Sequence, residues 1–426
     1  MTVHKPAARA PLMSLDDALA SLLGRVAPLS ASENVATFEA DRRVLAQDLV
    51  SALQVPPNDN SSMDGYAVRR ADVTAPGVVL SVSQRIAAGH VAEPLRPGTC
   101  ARIFTGAPMP EGADAVVMQE DTQDVGGDIH GVHINAVPQP GQWVRRAGED
   151  VTRGAVVLSR GERLSPAGLG LAASLGLAHV PVVVRPRVAL FSTGDELVMP
   201  GEVPPQDMKP GAIYNSNRFF LRALLQRLGC EVSDLGIVPD RLEATLAALK
   251  TAADHHDLIL TSGGVSVGEE DHIKPAVQQL GSLDLWQIGM KPGKPFAYGS
   301  VNRDAGAGAS AAQPCHFIGL PGNPVSSFVT FVLLVRPFLL KLQGAQTPRL
   351  KPVMLPAHFT VARADKRREF LRVRRNADGG LDLFPNQSSG VLTSAVWGDG
   401  LVDNPAGATI GYGDRVPYLS FAELLA

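Results

Sequence analysis

The 426-residue chain contains only three cysteines, Cys100, Cys230 and Cys315, far apart and without CxxC spacing. That excludes a disulfide scaffold and a cysteine-ligated zinc cluster. Neither GxxxxGK[ST] nor GxGxxG occurs, so the two commonest nucleotide-binding fingerprints are missing. Charge is nearly balanced, with 39 basic against 42 acidic residues and a net charge of −3. Such a chain has no general attraction to nucleic acid or to anionic membranes. The opening stretch, MTVHKPAARAPLMSLDDAL, lacks the apolar core of a signal peptide. The most apolar run, Val325 to Val335, spans about half a bilayer and stops at Arg336-Pro337, which predicts a buried helix and a cytoplasmic protein. No nucleophile–base pairing stands out among the ten scattered histidines. His255-His256 falls at a helix end, where a solvated or dipole-compensating role is enough to account for it.

What is present is ordinary globular material. Hydrophobic residues make up 45% and charged residues 19% of the chain, sufficient for several cores, and the length suits roughly three domains of about 150 residues. Leu15, Ala18, Leu19, Leu22, Leu23 and Val26 follow an i, i+3, i+4, i+7 pattern after Ser14, which predicts an amphipathic opening helix. From about Ala52 to Gly148, Pro and Gly punctuate short runs such as GVVLSV, ADAVVMQ and GVHINAV, the texture of a β-rich domain. A short helix is expected over SPAGLGLAASLGL, Ser165 to Leu177. Then strands and helices alternate. RVALFS is a strand, NRFFLRALLQRLG a helix closed by Gly229, and EVSDLGIV a strand. DRLEATLAALK is a helix with Asp240 as its N-cap, and DLILTSGG a strand. The pattern predicts a doubly wound, mostly parallel α/β sheet with its ligand crevice at the carboxyl ends of the strands. FIGLPGNP runs from a strand into a helix with Asn323 at the cap and Pro324 at the first helical position. Arg303 to Gln313 resembles a flexible insert, and from about Lys351 the texture is again β-like.

The stretch TSGGVSVGEEDH, Thr261 to His272, sets a chemical problem. Gly263, Gly264 and Ser266 follow a strand and can free backbone N–H groups for an oxyanion. Glu269, Glu270 and Asp271 directly behind them would repel one. A phosphate-bearing ligand held together with Mg²⁺ resolves the conflict, because Mg²⁺ shares its oxygen ligands between one or two carboxylates and substrate phosphates. First-turn acids that merely complement a helix dipole are the competing reading. GLPGNP, with Pro321, Gly322, Asn323 and Pro324, offers a second anion site at a helix N-terminus. Asp195 and Glu196 in FSTGDEL lie just past another strand end, on the crevice side, unless they only cap a turn. MKPGKP sets Lys291 and Lys294 on a rigid frame, as anion binders or as solvated turn lysines. PPNDNSSMDGYA carries Asp59 and Asp64 among turn formers.

Seven blocks taken together, DNSSMDGYA, RIFTGAPMPEGADAVVMQE, RRAGEDV, STGDEL, TSGGVSVGEEDHIK, MKPGKP and GLPGNPVSS, closely resemble the MoeA family of molybdopterin molybdenumtransferases and the related E domain of gephyrin. They run in the family's order from about Ser14 to Ser327, with NQSSGVLTSA a weaker match beyond. The resemblance implies a multidomain α/β protein in four parts. A discontinuous linker domain would comprise 1–48 and 153–186, and a β-rich domain 49–152. A molybdopterin-binding domain would cover 187–342, and a small β-barrel-like C-terminal domain 343–426. It implies insertion of molybdenum from molybdate into adenylylated molybdopterin with release of AMP, dependent on Mg²⁺. Carried onto the matching positions, Asp271 and Glu196 would hold the metal and pyrophosphate, with Asp195 and Asp240 nearby. Gly263, Gly264 and Ser266 would cradle phosphate, and Lys291 and Lys294 would hold molybdate or the pterin phosphate. Asp64, Thr105 and Arg145 would reach the crevice of a second subunit, making a homodimer with a shared site. A molybdopterin adenylyltransferase and molybdoenzyme maturation factors are the partners this implies. An adenylyltransferase-like enzyme and a non-catalytic molybdopterin-binding scaffold are the alternatives. Ala52 to Asp150 argues against the adenylyltransferase, which lacks the β-rich domain. Three positions depart from the pattern: Gln287 replaces an expected lysine after Trp286, Asn58 precedes DNS, and His272 stands where an aromatic is usual. With Gln287 uncharged, Lys291 and Lys294, or Arg372 and Arg374, carry more of the anion binding.

Overall fold

The structure, a computed structural model, describes residues 12–126, 130–264, 272–304, 314–346 and 351–425. Most of the insert expected at Arg303 to Gln313 lies outside the described residues.

Six strands form the central sheet: β1 (Arg187–Thr193), β2 (Glu231–Val238), β3 (Leu258–Ser262), β4 (Gly281–Gln287), β5 (Pro295–Val301) and β6 (Cys315–Leu320). Their order is β2-β1-β3-β6-β5-β4. The first four are parallel and β5 runs antiparallel to both its neighbours, β6 and β4, so the mostly parallel, doubly wound sheet is as the alternation predicts. Burial on both faces explains the unbroken apolar runs. Val188 and Leu190 of β1 and Leu258 and Leu260 of β3 join one core. Ala189, Phe191 and Ile259 point the other way into a second, the two-residue period of a pleated strand.

Helices cover both faces: α1 (Ser216–Arg227), α2 (Leu242–His255), α3 (Ile273–Leu280) and α4 (Pro324–Leu342). Leu221, Leu224 and Leu225 of α1 and most apolar residues of α4 enter the first core, and Leu249, Ala252 and Ala253 of α2 the second. Gly229, at φ +80, closes α1. Its N–H donates to Gln226 O and that of Cys230 to Leu225 O, the paired bonds of a glycine-terminated helix. The start of α2 differs from expectation. Arg241 occupies the cap position without a side-chain bond, and Asp240, one residue earlier, lines the cleft described below. The apolar run is a core helix: 83% of its most apolar window is buried inside the protein. Its middle, Phe331–Val335, is a π-turn. Pro337 just beyond cannot donate a backbone bond and crowds the carbonyl four residues back, and a wider turn relieves that clash.

The opening helix, Leu15–Gly24, is capped by Ser14, whose hydroxyl accepts from Asp17 N–H. Its buried Leu15, Ala18 and Leu22 join the first core beside α4. Ser32–Ala36 pairs with His179–Val183 and Leu49–Val50 with Val156–Leu158, so chain segments on either side of the β-rich part meet. Between them a six-stranded sheet includes Gly65–Val68, Val78–Ile86 and Thr99–Ile103. A last sheet contains Arg368–Arg375, Gly400–Asn404 and Arg415–Ser420, and its edge strand is Met290–Lys291 from the MKPGKP loop.

Candidate active site

The cleft follows from the register. Ser192, Ser262 and Leu320 stand in one row across β1, β3 and β6, so the turns after these strands emerge side by side at the carboxyl edge of the sheet. Together with the starts of α1 and α4 they line a cleft of about 570 Å³. This is the crevice position that strand order predicts, since the chain leaves β1 towards β2 on one side and leaves β3 towards β4 on the other.

The turns can close in only because of glycine. Gly263 and Gly264 have φ of +94° and +65°, and a Cβ on Gly264 would lie 2.7 Å from Ile273 Cδ1. Gly194 has φ +140°, and a Cβ there would lie 2.6 Å from Glu196 Oε2. The Glu196 carboxylate therefore folds back over the backbone of its own turn. Backbone bonds from Ile213 N–H to Glu196 O and from Asn215 N–H to Val198 O tie this turn to the segment leading into α1.

Of the residues expected in the site, the structure brings Glu196, Asp240, Gly263, Gly264, Pro321, Gly322, Asn323 and Pro324 to this one cleft. Asn323 and Pro324 hold the cap and first-turn positions of α4, as expected. Asp195 is exposed beside the cleft and is not part of its lining. Ser266 and Asp271 lie outside the described residues. Among the described residues no group of three or more His, Cys, Asp or Glu gathers in a metal-ligating cluster.

The two lysines separate. Lys291 is not the unpaired cation the MKPGKP motif suggests: its Nζ donates to Glu369 Oε1 at 2.8 Å and lies 3.3 Å from Asp365 Oδ2. The bond to Glu369 holds its ammonium above the usual lysine range. Lys294 precedes the cleft-lining Pro295 and makes no ion pair among the described residues. Arg372 is fully buried. Its guanidinium donates to Ser394 Oγ, Phe370 O and Ser388 O, with no carboxylate partner among the described residues, and burial brings its pKa down to about 10. Ser389, next in that segment, accepts from Val325 N–H at the start of α4. Arg374 is stacked over the Trp397 ring, 4.5 Å from its centroid.

Asp64, Thr105 and Arg145 lie in the β-rich part and do not line this cleft. Asp64 Oδ1 accepts from both the N–H and hydroxyl of Thr105, each at 2.8 Å, which holds the carboxyl below its usual range. Arg145 is exposed, and its strand pairs with Asn60.

Sequence reasoning missed the α1 side of the wall. Asn215, Ser216 and Asn217 all line the cleft. Asn217 Nδ2 donates to Ser262 Oγ at 3.1 Å and Gly322 O at 2.7 Å, bridging two of the turns. An asparagine before an amphipathic helix was the available signal, and it reads first as a cap.

Sheet order, glycine turns and two cleft-lining acids define a multidomain α/β protein with a crevice at the carboxyl ends of its parallel strands. The comparisons specify it further. Residues 13–176 match the MoeA N-terminal region (domain I and II), 189–341 a probable molybdopterin-binding domain, and 355–421 the MoeA C-terminal region (domain IV). A molybdopterin molybdenumtransferase of Haemophilus influenzae is 42% identical over 351 residues, 82% of this chain and 81% of the relative. A molybdopterin molybdenumtransferase 2 of Mycobacterium tuberculosis is 37% identical over 86% of this chain and 89% of its own. The solved molybdopterin biosynthesis MoeA protein of Pyrococcus horikoshii superposes with a TM-score of 0.82 at 28% identity, covering 96% of this chain and all of that one. The chain belongs to the MoeA family of molybdopterin molybdenumtransferases.

Proposed function

We propose that the chain inserts molybdenum from molybdate into adenylylated molybdopterin, releasing AMP, and that Mg²⁺ assists. One observation carries the reading: two carboxylates, Glu196 and Asp240, share a cleft with the positive-φ turn of Gly263 and Gly264 and with the N-terminus of α4. A pyrophosphate-bearing substrate needs both kinds of group. The carboxylates are hard oxygen donors of the kind and number Mg²⁺ takes when phosphates complete its shell, and Asp271 is the third donor proposed. Bound there, Mg²⁺ would offset charge on the pyrophosphate and the departing phosphate. Gly263 and Gly264 let the backbone approach the phosphates, and the dipole of α4 favours their negative charge. Lys294 attracts molybdate or the pterin phosphate, with Lys291 held nearby by its carboxylate partners. The reading includes a cytoplasmic homodimer in which Asp64, Thr105 and Arg145 of each subunit act at the other's cleft. It also includes supply by an adenylyltransferase and delivery to molybdoenzymes.

The test is Glu196→Gln, which removes the charge and keeps the shape. AMP release should fall at least about 100-fold, as for loss of a group acting on transition-state charge. The Mg²⁺ concentration for half-maximal rate should rise. Unchanged Mg²⁺ dependence would remove Glu196 from the metal site.

A further inference from the structure

We propose that Asn215 and the first turn of α1 form a tetrahedral-oxyanion subsite within the cleft, separate from the glycine turns and from α4; this rests on the phosphate-and-molybdate reading of the cleft. Asn215 is only 2% exposed and lines the cleft. Its side chain has one orientation. Oδ1 accepts from Arg218 N–H at 3.2 Å, which caps α1, while the residue's main-chain N–H is fixed to Val198 O. Flipping the amide would break the cap by setting NH₂ against an N–H donor. Nδ2 therefore points away from the helix, and it finds no acceptor among the described residues.

A buried amide donor without an acceptor is uncommon in folded proteins and calls for a specific explanation. An oxyanion supplies one. It brings acceptor oxygens to Nδ2, and the twelve-residue helix that Asn215 caps begins beside it with N–H groups that the helix itself does not use. No acidic side chain stands in that first turn, in contrast to Asp16 and Asp17 in the opening helix and Glu243 in α2. Asn217 cannot be the donor, because its Nδ2 is engaged by Ser262 and Gly322. The same backbone ladder ties the Asn215 segment to the turn that carries Glu196, and both residues line the one cleft. Two chemically similar anions fit, a phosphoryl group of the adenylylated substrate and molybdate.

Calorimetric titration of the full-length protein with AMP, and separately with molybdate, tests the subsite in the wild type, Asn215→Ser and Asn215→Asp. Both variants keep a capping oxygen, so melting temperatures should stay close to wild type and report on folding. Asn215→Ser removes the amide donor without adding charge. It should weaken one of the two anions by about 10- to 100-fold, the usual effect of losing a hydrogen bond to a charged group. Loss confined to AMP assigns a phosphoryl occupant, and loss confined to molybdate assigns molybdate. Asn215→Asp should weaken the same anion further. Weakening in Asn215→Asp alone would reflect charge repulsion and overturn the proposal, as would wild-type affinity for both anions in Asn215→Ser. A wild-type protein that binds neither anion also overturns the subsite, while molybdenum insertion is judged independently by turnover.

Discussion

At the scale of single residues, the candidate site sets the Glu196 carboxylate against backbone that favours glycine. Gly194 is the clearest case, with φ +140° and the Glu196 carboxylate where a Cβ would be. Gly194→Ala must shift either the turn or Glu196. We expect AMP release to fall at least about tenfold and stability to drop by about 1–3 kcal/mol, the usual scale of backbone strain; steady-state turnover and chemical denaturation measure the two separately. Glu196 was legible in the sequence because an acid just past a strand end falls on the crevice side. Asn215 was not, since its capping bond is an ordinary role that hides the second, unpartnered nitrogen. Lys291 was legible as a cation but not as a paired one. Its partner Glu369 lies 78 residues away, and nothing local announces the contact.

At the scale of elements, the strands and helices of the central sheet were readable because burial imposes its period on the sequence. The two-residue strand Met290–Lys291 was not, because two residues carry no period and the pairing is with a different sheet. The π-turn in α4 was not either, because Arg336-Pro337 reads first as a helix stop, whereas the helix continues through it to Leu342. One element makes a pH prediction. His316 in β6 is bonded through Nδ1 to Tyr298 OH at 3.0 Å and packed edge-on against Phe338 of α4. Burial lowers its pKa to about 4. The unfolded chain binds the proton near pH 6.5 and the folded chain resists it, so this contribution is complete above pH 6.5 and fades as pH falls towards 4. A shift of about 2.5 units corresponds to about 3 kcal/mol at most. Urea midpoints for wild type and His316→Gln, measured from pH 7 to 4.5, should show a shallower acid loss in the variant. Parallel curves would mean that His316 does not contribute to the acid sensitivity.

At the scale of the whole molecule, distant segments are tied around the central sheet. Met13 pairs with Ile288, Met290–Lys291 pairs with Arg368–Glu369, and Arg368 binds both Asp16 and Asp403. Arg25 of the opening helix's end adds an ion pair with Asp284. These long-range ties were beyond sequence reading, whereas the family's collinear motifs were plain. A single chain collects the glycine turns and Glu196 in one cleft and leaves Asp64, Thr105 and Arg145 elsewhere, an arrangement that suits the proposed sharing between two subunits. The central claim is molybdenum insertion at that cleft. The most direct measurement is AMP release from adenylylated molybdopterin by the purified protein in Mg²⁺, with and without molybdate. The account predicts release that depends on molybdate. Tight binding of the adenylylated substrate without release, under conditions where a related molybdenumtransferase turns over, would contradict it and favour a scaffold role.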